Sequence, residues 1–125
     1  MANLARELGQ PLLVVARPGL GTLNHTALTI EAARRRDIEV AGIVISGCPV
    51  QPDLATRTNP RLMVEMSGAP LLGVLPYIEG LSTDDLRPEG LVTAAREALA
   101  PALGGSFRAD EFLDRVAASA HCAPR

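Results

Sequence analysis

The sequence predicts an α/β fold: a partial doubly wound parallel sheet of about three strands with flanking helices. Three features point that way. Residues 11–16 (PLLVVA), 40–46 (VAGIVIS) and 69–76 (APLLGVLP) are apolar runs without polar alternation, the pattern of strands buried on both faces. Helix-period segments lie between them. The connections are short, so each strand–helix–strand step reads as a right-handed βαβ unit.

Taken in order, a short helical stub precedes the first strand, which Arg17-Pro18-Gly19 ends. From Thr22 to Arg36 the apolar positions Leu23, Ala27 and Ile30 form one helical stripe. Thr22 or Asn24 is the expected N-cap, and Arg34, Arg35 and Arg36 suit the negative end of the helix dipole as a solvated terminus. Gly47, Cys48 and Pro49 end the second strand. A short helix is expected over Asn59–Ser67, with Pro60 in its first turn and Gly68 just past its end. The third strand breaks at Pro76. Residues 77–90 read as loop and 91–103 as helix. A further helix starts near Arg108 and carries Phe112, Leu113 and Val116, ahead of a frayed HCAPR tail. Three strands make a thin parallel sheet, so the chain reads like the second half of a doubly wound domain.

The length of 125 residues suits one domain, residues 1–125, with a core of its own. A net charge of −2, with arginines single or at helix ends, argues against a nucleic-acid surface. No apolar run approaches the length of a membrane span, and residues 1–10 hold no signal-peptide core. Cys48 and Cys122 lie far apart without metal spacing, as expected of a reduced, cytoplasmic chain. The chain has no lysine; all 12 of its basic residues are arginine. It therefore holds neither a Schiff-base lysine nor a P-loop lysine.

Candidate chemistry gathers where strands end. In an open parallel sheet, ligands bind beyond the carboxyl ends of the strands. The Pro18-Gly19-Leu20-Gly21 turn opens into a helix whose first N–H groups, at Gly21, Thr22 and Leu23, are placed to bind a carboxylate or phosphate. Asn24 is placed to add a side-chain hydrogen bond. Such a turn by itself is more often a plain tight turn than a binding site. It is neither a dinucleotide fingerprint nor a P-loop, lacking a third glycine and any G-K-[ST]. His25 has no partner at metal-ligand spacing and reads as a hydrogen-bonded histidine near a helix start. Loops after the second strand (Ser46, Gly47, Cys48, Pro49) and the third (Pro76, Tyr77, Ile78, Glu79, Gly80) lie at the same sheet edge, where Tyr77 and Glu79 suit a base or sugar pocket. No histidine lies near Cys48, which reads as an inert thiol. Asp84 and Asp85 read as a solvated loop or helix start.

The stretch LLVVARPGLGTLNHTALTIEAARRRDIEVAGIVIS, followed by NPRLMVEMSGAPLLGVLPYIEG, closely resembles the C-terminal half of dethiobiotin synthase. The likeness is specific over residues 1–80 and loose over the helical tail, 81–125. It implies a P-loop NTPase-like fold and a cytoplasmic homodimer with sites at the subunit interface. The implied reaction is the ureido ring closure of biotin synthesis, from 7,8-diaminopelargonic acid, CO₂, ATP and Mg²⁺. Gly21, Thr22, Leu23 and Asn24 match the segment that holds the substrate's tail carboxylate, reaching across from the neighbouring subunit. Ser46, Pro76, Tyr77 and Glu79 match regions lining the nucleotide base. The family's phosphate-binding loop, catalytic lysines and Mg²⁺ carboxylates have no counterpart in this sequence, so no catalytic and no metal-binding residue is assigned. Phosphoryl transfer rests on electrostatic positioning, and the chain alone is expected to be inactive. Ser46 departs from the Asn that many members use for adenine, and a hydroxyl does not present the amide's paired donor and acceptor.

Those expectations describe a C-terminal part of a dethiobiotin synthase acting with a separate P-loop half. A non-catalytic module that dimerises or binds a small acid is the alternative. A truncated, non-functional product is a third reading, its open sheet edge then making it aggregation-prone.

Overall fold

A computed structural model describes residues 2–81, 84 and 90–108. Helix α1 (Ala2–Leu8) leads into β1 (Leu12–Ala16), α2 (Thr22–Arg34), β2 (Val40–Cys48), α3 (Leu54–Ser67), β3 (Leu71–Pro76) and α4 (Leu91–Ala98), followed by a 3₁₀ turn at Pro101–Leu103. The three strands form one parallel sheet in the order β1-β2-β3. The α/β class and the parallel sheet match the sequence reading. The helix expected near Arg108 and the tail beyond it lie outside the described residues, as does Asp85.

The strand order fixes which face is covered. Two successive right-handed crossovers that step the same way along a sheet put both helices on one face. Accordingly α2 and α3 pack against each other and over the sheet. Val14, Ala16, Ile43, Ile45 and Leu71 meet Ile30 of α2 and Met63 of α3 in the core. Burial of β1 alternates: Val14 and Ala16 are inside, while Leu13 is 38% and Val15 65% exposed. The expectation that this strand is buried on both faces is therefore corrected. A continuous apolar run reports what a strand is suited to, and here one side has no cover among the described residues.

At the other end of the sheet the second face and the edge are occupied. Leu99 bridges Gly73 in antiparallel sense, and the N–H of Ala100 donates to the carbonyl of Leu72 at 2.7 Å. Gly73 permits this approach, since a Cβ there would lie 2.1 Å from the Ala98 carbonyl oxygen. The helix expected over 91–103 accordingly stops at Ala98, where the backbone turns extended to meet β3.

Helix α3 begins earlier than the sequence reading placed it. Asp53 is its N-cap, with Oδ1 accepting from the N–H of Thr56 at 2.7 Å. Pro60 consequently sits inside the helix rather than in its first turn, which removes one i→i−4 hydrogen bond. The Thr56 bond holds the Asp53 carboxyl below its ordinary range. A lowered folded pKa means stability present above the unfolded value of about 3.9 and lost as pH falls through the folded one. Asp53→Ala is therefore expected to lower the thermal midpoint at pH 7, with Asn retaining most of the cap. The gap between wild type and Asp53→Ala should narrow near pH 3, and a gap equal at both pH values would refute the charge-assisted cap.

The buried stripe of α2 is Thr22, Thr26, Ile30 and Ala33, with Leu23 and Ala27 only half-buried. That rotates the inward face away from the apolar stripe read in the sequence. The helix ends at Arg34 rather than Arg36. Asp37 takes a left-handed conformation (φ 56°), and the N–H of Ile38 reaches back to the carbonyl of Ala33 at 3.1 Å, a Schellman-type end. Nor is the arginine cluster only solvated. Arg34 donates through Nη1 to the carbonyl of Ser67 and so ties α2 to the C-terminus of α3. Arg35 pairs with Glu31 at 2.5 Å on the exposed surface, a contact worth about 0.3–0.5 kcal/mol.

Candidate functional site at the ends of the first two strands

β1 ends at Ala16, and the chain crosses to α2 through Arg17-Pro18-Gly19-Leu20-Gly21. Gly21 adopts φ 84°, a left-handed geometry that strains any residue with a Cβ. It is the N-cap, and no side chain caps this helix. The expectation of a Thr22 or Asn24 cap is thus corrected: with glycine in the cap position, the turn itself sets the helix start. The first helical bond runs from the N–H of His25 to the carbonyl of Gly21 at 3.2 Å. Thr22 makes only a long 3.4 Å turn bond to Gly19. By helix geometry the N–H groups of Leu23 and Asn24 have no intrahelical acceptor, and the positive end of the dipole is open.

A cleft of ≈ 400 Å³ lies beside this turn, lined by Arg17, Pro18, Gly19, Leu20, Thr22, Ser46 and Gly47. It joins the carboxyl ends of β1 and β2, where the sheet rule places a ligand. Its charged lining residue is Arg17, so guanidinium and helix dipole act in the same sense, towards an anion. Leu20 stands 96% exposed at the rim.

The sequence candidates divide around this cleft. Thr22 and Ser46 both line it. Leu23 is half-buried against the core, whereas Gly21, Asn24 and Ser46 are exposed. On the far side, Pro76 pairs with Cys48, and the N–H of Tyr77 donates to the Cys48 carbonyl at 2.8 Å. This bond ties the Pro76–Glu79 segment to the end of β2, which runs two residues beyond the expected Ser46. Gly47, at φ 81°, makes the irregularity that lets the two strand ends stay paired. Pro76, Tyr77 and Glu79 are exposed and stand outside the cleft lining. His25 is exposed and faces a separate groove along β1 rather than the cleft. Burial pushes the Cys48 thiol up from its ordinary pKa, in keeping with an inert thiol.

One residue the sequence reading did not single out holds the turn. Asn59, 4% exposed on α3, donates through Nδ2 to the carbonyls of Pro18 at 2.7 Å and Gly19 at 3.2 Å. Both carbonyls are thereby held by a residue that does not itself line the cleft. Local pattern gives no sign of this, because Asn59-Pro60 reads equally well as a helix start.

Among the described residues no three His, Cys, Asp or Glu side chains stand together as a donor set for a metal ion. The groups beside the cleft, the Arg17 guanidinium and the N–H groups at the start of α2, are donors of positive sign, which suit an anion and not a divalent cation.

Comparison with known proteins gives the family. A family model described as an AAA domain matches residues 1–85. The ATP-dependent dethiobiotin synthetase of Saccharopolyspora erythraea is 52% identical over 107 residues, 86% of this chain and 46% of that protein. The one from Frankia casuarinae is 47% identical over 115 residues, 92% of this chain and 47% of that protein. In Streptomyces coelicolor the synthetase is 44% identical over 115 residues. The chain spans about half the length of the curated relatives it matches. It belongs to the AAA domain family, and the members it resembles are the dethiobiotin synthetases.

Proposed function

We propose that this chain is the C-terminal part of a dethiobiotin synthetase, residues 1–125 forming one α/β domain. It holds the carboxylate end of diaminopelargonic acid and one wall of the nucleotide-base site. The observation that carries this reading is the uncapped start of α2 beside a cleft whose charged group is Arg17. The acid's tail carboxylate placed there meets the start of α2 along Gly21, Thr22 and Leu23, where the open N–H groups are those of Leu23 and Asn24, with the Asn24 side-chain amide as a further donor. Leu20, exposed at the rim, supports a turn that reaches into a neighbouring subunit of a homodimer. Ser46, Pro76, Tyr77 and Glu79 form the wall toward the base, the Tyr77 ring offering a stacking face.

The phosphates and Mg²⁺ of ATP belong, in this reading, to the half of the fold outside this chain. The chain's own contribution is binding and orientation: it fixes the acid's tail so that its two amines lie toward the triphosphate. Chemistry then depends on groups supplied by the other half.

The test is a dethiobiotin-forming assay with diaminopelargonate, ATP, Mg²⁺ and bicarbonate. The purified chain alone should form no product, and addition of the complementary half of the Saccharopolyspora relative should restore it. Turnover by the chain alone, with contamination excluded, would overturn the division of labour. Binding of the acid without turnover in the reconstituted pair favours the non-catalytic small-acid module instead.

A further inference from the structure

We infer that Asn59 is a positioning residue for the acid's carboxylate. By holding two carbonyls of the β1–α2 turn, it presents the N–H groups of Gly19 and Leu20 to the cleft. The anion then meets a run of amides and not the helix start alone. The inference deepens the functional reading above and rests on it for the identity of the ligand.

A trans peptide sets its N–H antiparallel to its own C=O, and no described peptide of this chain is cis. The Pro18 carbonyl shares a peptide with the N–H of Gly19, and the Gly19 carbonyl with that of Leu20. Asn59 draws both carbonyls to one atom, Nδ2, at 2.7 Å and 3.2 Å. Those two N–H groups are therefore turned away from Asn59. Gly19 and Leu20 line the cleft, and Asn59 does not. Among the described residues neither N–H donates to a protein acceptor. A hydrogen bond received at a carbonyl also polarises its peptide, which makes the N–H on the far side a better donor.

The run of donors continues along the chain. Gly21 follows at φ 84°, and successive N–H groups around a left-handed residue form a concavity that suits an anion. Beyond it the N–H groups of Leu23 and Asn24 are left open by helix geometry. α2 itself fixes these two, whereas Gly19 and Leu20 precede the helix and lack its ladder. Their orientation depends on what holds their carbonyls. The N–H of Thr22 reaches the Gly19 carbonyl only at 3.4 Å, and among the described residues no backbone N–H reaches that of Pro18. Asn59 is thus the main anchor.

Few side chains could take its place. The position calls for two protons on one atom, a short reach and no charge. Serine and threonine offer one proton, and aspartate none at neutral pH. Asn59 is also 4% exposed, on the face of α3 that buries Thr56 and Met63. A turn held by so fixed a group is set before the anion arrives, which lowers the ordering cost of binding.

The test is a titration of the isotope-labelled full chain with diaminopelargonate and, separately, with acetate, read by amide shifts at neutral pH. The wild-type chain should show shifts at Gly19, Leu20, Leu23 and Asn24. In Asn59→Ala the shifts at Gly19 and Leu20 should be lost while those at Leu23 and Asn24 persist, with affinity lowered about tenfold or more. Ile45→Val, a core truncation that also destabilises the chain, should bind as wild type, which separates positioning from general loss of stability. Asn59→Ser keeps one donor and should fall between, and it replaces the alanine variant should that chain not fold. Shifts at Leu23 and Asn24 alone in the wild-type chain would overturn the inference and leave the functional reading in place. So would an Asn59→Ala chain that binds as tightly as wild type. Asn59-dependent shifts with diaminopelargonate bound no tighter than acetate would sink the functional reading and leave the positioning role standing. No shift at the turn with either probe would end both.

Discussion

Asn59→Asp is expected to destabilise the chain at neutral pH more than Asn59→Ala does. The alanine variant itself should cost about 1–3 kcal/mol, the usual effect of stripping a buried hydrogen bond and leaving its partners unsatisfied. The Asn59 amide gives both of its observed bonds as a donor, to the Pro18 and Gly19 carbonyls. Aspartate has the same shape and reverses the chemistry: a buried carboxylate then faces two carbonyl oxygens. Burial and that apposition raise its pKa in the folded chain above the unfolded value of about 3.9. The sign follows from linkage. A raised folded pKa gives stability that is complete below the unfolded pKa and lost as pH rises through the folded one. The gap between wild type and Asn59→Asp should therefore shrink on acidification, because the protonated acid donates one of the two bonds. Urea midpoints across pH 4 to 7 measure this (about three units spanning the expected titration). A gap that stays constant with pH would mean that Asn59 does not act as the donor holding this turn.

The site and the fold differ in how much of each the sequence carried. The three strands and their parallel order were legible because apolar runs with short helical connections leave few topologies. The Gly21 turn was legible for a similar reason: a glycine at a strand-to-helix junction has few uses, and left-handed geometry is one. What the pattern did not carry was tertiary. Asn59 reaches a turn 41 positions earlier in the chain, and no local signal marks that pairing. The start of α3 was misplaced because Pro60 suits a first helical turn, and Asp53 only declares itself as the cap once Thr56 is seen bonded to it. The face of β1 was misjudged for a related reason. An apolar strand looks the same in sequence whether its second face is covered by the same chain or by something else.

That one-sidedness sets the second large effect. Ile45→Ala is expected to destabilise the chain by about 2–5 kcal/mol, whereas Val15→Ala should stay within about 0.5 kcal/mol. Both are β-branched residues on neighbouring strands, yet Ile45 is 1% exposed at the centre of the core and Val15 is 65% exposed. Removing the Ile45 side chain leaves a cavity beneath α2 and α3 that the flanking Ile43 and Met63 fill only in part. Against a total stability of about 5–15 kcal/mol, that is a large share. At Val15 the lost methyl groups were already largely in water, so little transfer energy is forfeited. Urea titrations of the two variants measure the contrast, provided the slope of the transition is unchanged. Equal losses at the two positions would show that β1 is buried on both faces, and the one-sided burial described for this strand would have to be abandoned.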